Sequence, residues 1–372
     1  MQIYPLTGIP EVRQHHDLAQ LLRAALERQA LTFCDGDVLV VSSKVVSKAE
    51  ALRAFGVGGR GEGSGGSENG VGPLRHEVIE AHSVRVVAER ATPGGKTQIV
   101  ASAAGPVMAA AGVDDSNTGP DGGSLMLPSD PDLVARNLYA GLLRTYAPTS
   151  LPMIGIVISD TAGRPWREGQ TDFALGACGV QVLQDLRGGV DVDGRPLVAT
   201  ARAVADEIAA AADLVKGKTL GIPAALVRGL PTGTVGSPGL VGSQALLRQI
   251  DSDWFTLGTA ESVRAALGAP PGSAAAEQVG IPATGPEGEQ ARFDRARALT
   301  VLGVSESVDA TAIGRHEAQV WVDVADPYLR GVVVTRLQVA LHGEGLGSWE
   351  ITPLTATAGV SVDSSGDSVE DD

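Results

Sequence analysis

The sequence predicts a fold of mixed helices and strands in two units of unequal size, on three observations. Residues 38–41, 153–158 and 224–227 are unbroken apolar runs of strand length, a pattern that suits strands covered on both faces. Helical patterns alternate with them, at 18–26 behind a possible cap at Asp17, at 131–143, and at 200–216. Between Gly268 and Glu289 the composition turns to Ala, Pro, Gly and Glu, which reads as a linker. The expected organisation is therefore a large domain over 1–268, a linker over 269–289, a small α+β module over 290–356 and a disordered acidic tail over 357–372.

A chain of 372 residues, 43% hydrophobic, is long enough to bury a sizeable core. Its formal net charge of −15 argues against a general grip on nucleic acid, which needs a basic surface. Cys34 and Cys178 are the only cysteines, too few for a disulfide framework or a thiolate zinc site; both lie in apolar sequence and read as reduced core thiols. No apolar run of eighteen residues is present, so a cytoplasmic protein is expected.

In the first domain, a short strand is expected from Ile3, ending in the turn Thr7-Gly8-Ile9-Pro10. The run 38–41 leads directly into Ser42-Ser43-Lys44-Val45-Val46-Ser47-Lys48-Ala49-Glu50, whose hydroxyls and lysines are able to hold an anion; a serine-capped helix start with exposed lysines is the plain alternative. Residues 56–72 read as a flexible Gly-rich insertion, and the G-x-G-x-x-G match at 56–61 lacks the helix that pattern requires. Strands at 84–88 and 97–101 pair across Pro93-Gly94-Gly95. Gly95-Lys96-Thr97 and Gly217-Lys218-Thr219 resemble the end of a P-loop, but the required first glycine is Arg90 or Ala212.

The central stretch is 153–172. The apolar run ends at Ser159-Asp160-Thr161, where a buried strand is expected to deliver a reactive loop with two adjacent hard oxygen ligands, the type Mg2+ or Mn2+ takes alongside phosphate. Arg164 and Arg167 follow, with guanidinium forks that match phosphate and carboxylate. Ala111–Asn117, with Asp114, Asp115 and Asn117, is a second candidate metal or phosphate loop, an Asx-rich turn being the alternative. Of Asp206 and Glu207 in the 200–216 helix, one fits an exposed acidic face and the other a role orienting a metal or lysine. His316 and His342 have no partners in the sequence pattern.

Five of these segments, at 40–50, 111–117, 127–132, 158–172 and 203–218, occur in the order seen in the coenzyme F-420 gamma-glutamyl ligases, and the chain resembles that family over about 1–268. The resemblance implies an α+β fold of the gamma-glutamyl-ligase type, neither P-loop nor Rossmann, in an intertwined homodimer. It implies a GTP-dependent ligase that adds L-glutamate to the phospholactate carboxylate of a deazaflavin precursor through an acyl phosphate, using two divalent ions, Mg2+ or Mn2+, with K+ as a further candidate. On that resemblance Asp114 and Asp160 are metal carboxylates and Thr161 a second-metal ligand. Thr7, Gly8, Ile9, Pro10, Ser43, Lys44, Lys48, Asn117, Gly217 and Gly221 form the GTP site, and Asp160, Arg164 and Arg167 are catalytic. Glutamylation of another carboxylate, or nucleotide binding without catalysis, are the alternatives. Lys218 stands where relatives carry an acid or amide, Ala104-Gly105-Pro106 where they carry a His-Gly pair, and the C-terminal module lacks motifs of a flavin domain.

Overall fold

The computed structural model describes residues 1–55, 75–92, 95–146, 151–248, 257–270, 272–280, 288–304 and 308–354. The Gly-rich insertion at 56–72, Pro93-Gly94 and the tail at 357–372 lie outside the described residues. Contacts divide the chain into Met1–Thr256 and Leu257–Asp372.

In the first unit the elements run β1 (Gln2–Pro5), α1 (Leu18–Arg28), β2 (Val38–Ser42), α2 (Ser43–Ala49), β3 (Arg53–Ala54), α3 (Arg75–Ala81), β4 (Ser83–Thr92), β5 (Gly95–Ser102) and β6 (Val107–Ala109). They continue as β7 (Ser124–Leu125), α4 (Pro131–Leu143), β8 (Gly155–Arg164), β9 (Arg167–Cys178), β10 (Leu183–Asp185), β11 (Ala201–Ala203), α5 (Val204–Lys216) and β12 (Ala224–Arg228). The main sheet has the order β1-β12-β2-β8-β9. Every neighbour in it is antiparallel except β2 and β8, which run parallel with Ser42 opposite Ser159.

The continuous apolar runs are explained by what covers them. Alternation along each strand sends Leu39, Val41, Ile156, Ile158 and Leu226 to one face, where Leu22 and Leu26 of α1 and Leu138 and Leu142 of α4 complete the core. Val38, Val40, Val157, Ala225 and Val227 point the other way, against Ala205, Ile208, Ala209 and Ala212 of α5. Asp17 caps α1 by accepting from Gln20 N at 3.0 Å, and Asp130 caps α4 by accepting from Leu133 N at 2.8 Å. A smaller sheet, β4-β5-β6, packs its own cluster of Val78, Ile79, Val100, Ala111 and Val113.

Three local expectations are corrected. β8 does not end at Asp160 but runs to Arg164 and turns into β9, so Asp160 and Thr161 lie within a strand of a hairpin and not on a loop. The helix expected from Thr200 starts at Val204, because Ala201–Ala203 pairs with Leu183–Asp185 instead. Cys178 is buried as expected, but Cys34 is exposed in the turn before β2.

The second unit contains α6 (Thr259–Ala266), α7 (Ala274–Gln278), α8 (Glu289–Val301), β13 (Ile313–His316), β14 (Gln319–Val322), α9 (Pro327–Gly343) and β15 (Glu350–Pro353). The contact division therefore falls after Thr256, where composition had placed it after Gly268. α6 is tied to the rest of the second unit by Glu344 at the end of α9, buried and held by the guanidinium groups of Arg264 on α6 (2.7 Å) and Arg295 on α8 (2.8 Å). Phe293, Leu299, Leu337 and Leu341 fill the core beneath. Among the described residues no helix is long and apolar enough to cross a membrane.

The α4–β9 packing depends on Gly176. A Cβ built there would lie 2.2 Å from the Pro131 carbonyl oxygen, a backbone atom that cannot swing aside. Beside it the buried Asp132 carboxylate accepts from Ala177 N at 2.8 Å and Ser243 N at 2.8 Å, fixing that approach. Gly176→Ala is expected to destabilise the first unit by about 1–3 kcal/mol in chemical denaturation, the scale of an overpacked core site; a variant as stable as the parent would contradict this packing.

Candidate active site

The parallel pairing of β2 with β8 ends at Ser42 opposite Ser159, so the residues after β2 lie beside the point where β8 continues to Asp160. β2 passes into α2, so Ser43 and Lys44 stand beside Asp160 of β8. The buried Ser43 hydroxyl donates to Asp160 Oδ1 at 2.7 Å. The Lys44 ammonium donates to Asp114 Oδ2, and to the main-chain oxygen and the hydroxyl of Ser116 at 2.8 Å each. Asp114 and Asp160, expected from sequence to share a site, are thus joined through two consecutive residues. The loop carrying Asp114 is held by reciprocal main-chain bonds with Leu125 at 3.0 and 2.9 Å and by Arg53, which donates to Thr118 O at 2.7 Å.

The segment after α5 closes on the same place. Asn117 Nδ2 donates to Lys218 O at 3.1 Å, and Lys218 Nζ lies 3.8 Å from Asp114 Oδ2. Gly217 ends α5 at φ +60°, and Gly221 follows at φ +65°, both in the left-handed range that glycine adopts without strain. The Gly217 sequence lies after a helix, the reverse of a P-loop's order, and Gly95-Lys96-Thr97 lies in β5.

The two carboxylates differ electrically. Burial raises the Asp114 carboxyl, but the Lys44 hydrogen bond and the Ser116 amide outweigh it and hold it below the usual range. Among the described residues no ammonium group is ion-paired with Asp160, although the Lys44 charge lies near enough to lower it. Burial, reinforced by the nearby Asp172 charge and only partly offset by the Ser43 hydroxyl, pushes it up to about 6.

Asp160 and Thr161 are adjacent in sequence but leave an extended strand on opposite faces. Thr161 Oγ1 accordingly donates to Asp172 Oδ1 at 2.7 Å, across the hairpin, where Thr161 and Asp172 are paired in register. Asp172 is 4% exposed and also accepts from Ser159 Oγ at 2.8 Å and Lys216 Nζ at 2.6 Å. Neither Asp172 nor Lys216 was expected from sequence, although the i, i+2 spacing of Ser159 and Thr161 signals a polar strand face that needs a partner.

Other expected site residues are placed differently. Lys48, 7% exposed, is paired with Glu11, next to the turn Thr7–Pro10, whose Gly8 carbonyl accepts from Arg28 Nη2 at 2.8 Å. Arg164 and Arg167 are exposed at the end of the β8–β9 hairpin, and Arg164 Nη2 donates to Glu168 O at 3.2 Å. Arg164 lies four positions along the strand from Asp160, about 13 Å between backbones, and neither arginine is ion-paired with Asp114 or Asp160 among the described residues. Asp206 accepts from Ala174 N at 2.9 Å and Glu207 pairs with Arg202, so neither orients a metal or a site lysine.

The donor set is one of hard oxygens. Among the described residues no three His, Cys, Asp or Glu side chains converge into a metal cage. Asp160, a partly buried carboxylate lacking a cation, fits a Mg2+ or Mn2+ ion that takes its other oxygens from a nucleotide and water. Asp114 is less open, since Lys44 and Lys218 already neutralise it.

Comparison with known proteins matches residues 8–229 to the family described as F420-0:Gamma-glutamyl ligase. The coenzyme F420:L-glutamate ligase of Methanothermobacter thermautotrophicus is 37% identical over 252 residues, spanning 67% of this chain and 96% of that protein. The protein of the same name in Halobacterium salinarum is 36% identical over 262 residues, 68% of this chain and 95% of its own. That of Haloarcula marismortui is 34% identical over 258 residues, with the same shares. The matched span contains the whole Lys44–Asp114–Asp160 constellation, and the chain belongs to the F420-0:gamma-glutamyl ligase family.

Proposed function

We propose that the protein is a GTP-dependent ligase that joins L-glutamate by an amide bond to the phospholactate carboxylate of the coenzyme F-420 precursor, releasing GDP and phosphate. The observation that carries this reading is Asp160: a carboxylate pushed up to about 6 by burial, held by the Ser43 hydroxyl, with Lys44 of the next position bound to Asp114 close by. Such a group is built to be neutralised by a positive ion that arrives with a phosphorylated substrate. The names of the relatives supply the glutamate and the coenzyme precursor.

A carboxylate is a poor electrophile until one of its oxygens becomes a leaving group. Transfer of the terminal phosphoryl group of GTP gives an acyl phosphate; the glutamate amine then adds to the acyl carbon, loses a proton, and phosphate departs. Asp160 would hold a divalent ion, which would supply positive charge to the phosphate oxygens. Ser43 holds the Asp160 carboxylate in one orientation, and the Lys44 and Lys218 ammonium groups lie where they draw phosphate or carboxylate oxygens away from Asp114. The reading places one divalent ion on the residues themselves. The second ion, K+, GTP contacts at Thr7–Pro10 and Lys48, the catalytic roles of Arg164 and Arg167, and the homodimer rest on the resemblance.

Incubation with GTP, Mn2+, L-glutamate and the glutamate-free precursor is expected to release phosphate and add one glutamate mass; phosphate release with a different acceptor only would move the reading to another carboxylate, and nucleotide binding without turnover would end it as a ligase.

Asp160→Asn keeps the size of the side chain and an oxygen for Ser43. It is expected to lower kcat/KM by about 100-fold or more while leaving the cation-free protein at least as stable at pH 7. The sign follows from the raised carboxyl: its stabilising contribution is complete below its ordinary value of 3.8 and is lost as pH rises through about 6. Thermal melts of both proteins at pH 7 check this, and a clearly less stable variant contradicts it.

Protons and the ion compete for the same oxygen atoms. Mn2+ affinity in the presence of GTP is therefore expected to weaken as pH falls below about 6. Calorimetric titrations between pH 5 and 7.5 measure it, and a flat profile would remove Asp160 from the ion site.

A further inference from the structure

We infer that the second unit carries a binding site of its own for a small oxyanion, a phosphorylated or dicarboxylic molecule, in the groove between α8 and the edge strand β13, held by Arg315 and Arg297. The groove lies outside residues 8–229, the span matched to the ligase family, and the inference does not depend on the ligase reading. It is open to solvent and has a volume of about 530 Å3, within the range of small-ligand pockets. Gln290, Phe293 and Arg297 of α8 line one side, and Arg315, His316 and Glu317 the other.

Arg315 is fixed before any ligand arrives. Its guanidinium carbon lies 4.9 Å from the centre of the Trp349 ring and 5.5 Å from that of Phe293. Nε donates to Gln290 Oε1 at 2.9 Å, Nη2 donates to the same oxygen, and Nη1 donates to the main-chain oxygen of Glu317 at 2.9 Å. Gln290 is held in turn, its Nε2 donating to the Asp294 carboxylate at 3.1 and 3.2 Å. All the acceptors that Arg315 meets are neutral, so among the described residues its charge is not ion-paired with a carboxylate. A guanidinium carries five N–H donors in a planar fork, and these bonds leave part of the fork for a bidentate oxyanion.

Arg297 brings a second fork to the same ring, its guanidinium carbon 5.8 Å from the centre of Phe293. Its Nη2 donates to Asp294 Oδ1 at 3.0 Å, and its Nε is buried without a hydrogen-bond partner. A buried donor without an acceptor is costly, and it marks a place that the chain itself leaves unfilled. The strand adds a main-chain donor. β13 pairs with β14 alone, and Asp323 N donates to Ala312 O at 2.8 Å, so alternation along the antiparallel pair turns the Arg315 N–H to the open edge. An arginine that only covers apolar surface extends its charged end into water; Arg315 is instead tethered through all three of its nitrogens. A compact ligand suits the groove better than a polyanion, because the exposed Glu317 carboxylate stands at its rim and the chain carries a net charge of −15.

The test is titration of the full chain with inorganic phosphate and, separately, with succinate, at an ionic strength held constant with KCl. Tryptophan fluorescence is the readout, because Arg315 lies on Trp349. A saturable change with half-saturation near or below about 1 mM is expected for at least one probe. Phosphate alone giving it assigns a phosphorylated ligand, and succinate alone a dicarboxylic one. Arg315→Gln is expected to weaken binding about tenfold or more, and Arg315→Lys, which keeps the charge and loses the fork, to weaken it several-fold. Arg297→Gln is expected to weaken it about threefold to tenfold. Should Arg315→Gln fail to fold, Arg297→Gln decides. No saturable change with either probe up to about 10 mM, or binding within twofold of the parent in the folded arginine-to-glutamine variants, would overturn the inference. Glutamate addition by the parent is scored separately, so loss of this site leaves the ligase reading standing.

Discussion

Placing Ser42 of β2 opposite Ser159 of β8 in parallel brings two segments separated by 117 residues side by side at the end of β2. A parallel pair also has its carboxyl ends together, the place where open sheets in α/β folds collect ligands. Because α2 begins immediately after β2, Ser43 and Lys44 have no freedom to be elsewhere. Asp160 continues β8 one residue past Ser159, and the Ser43 hydroxyl meets it. The covering of both sheet faces, by α1 and α4 on one side and α5 on the other, holds that pairing in a single register, since a one-residue slip would exchange the two apolar sets.

Charge is distributed unevenly around this edge. Among the described residues Asp114 is paired with two ammonium groups, Asp172 with one that is buried with it, and Asp160 with none, the Lys44 charge acting on it only from a distance. An arrangement built only for stability would pair the carboxylate that burial most penalises. Here that carboxylate is left at about 6, and the imbalance is what a bound cation would remove. The lysines nearby keep anions from being repelled by three aspartates in close quarters.

Much of this was legible in the sequence, and the reasons are specific. The strands at 38–41, 153–158 and 224–227 are unbroken apolar runs because both faces are covered, and the caps at Asp17 and Asp130 are single-residue signals. Asp114 and Asp160 were legible as polar residues at the ends of such segments. Hidden from sequence was the continuation of β8 through Asp160 to Arg164, since polar residues in a projecting hairpin look like a loop. That extension separates Asp160 from Thr161 by strand alternation and carries Arg164 and Arg167 outward. Lys216 and Asp172 were hidden because a buried ion pair between residues 44 apart leaves no local pattern. The membership of α6 in the second unit was hidden because contacts such as Arg264–Glu344 span 80 residues.

The central claim is that the place where β2 ends beside Asp160 of β8 is an ion-and-nucleotide site organised around Asp160. A crystal structure with Mn2+ and a non-hydrolysable GTP analogue, using the anomalous signal of manganese, tests it most directly. The account predicts a manganese peak within coordinating distance of the Asp160 carboxylate, with nucleotide phosphate oxygens completing its shell. A manganese ion or a triphosphate bound elsewhere, with Asp160 still holding only the Ser43 hydroxyl, would contradict it.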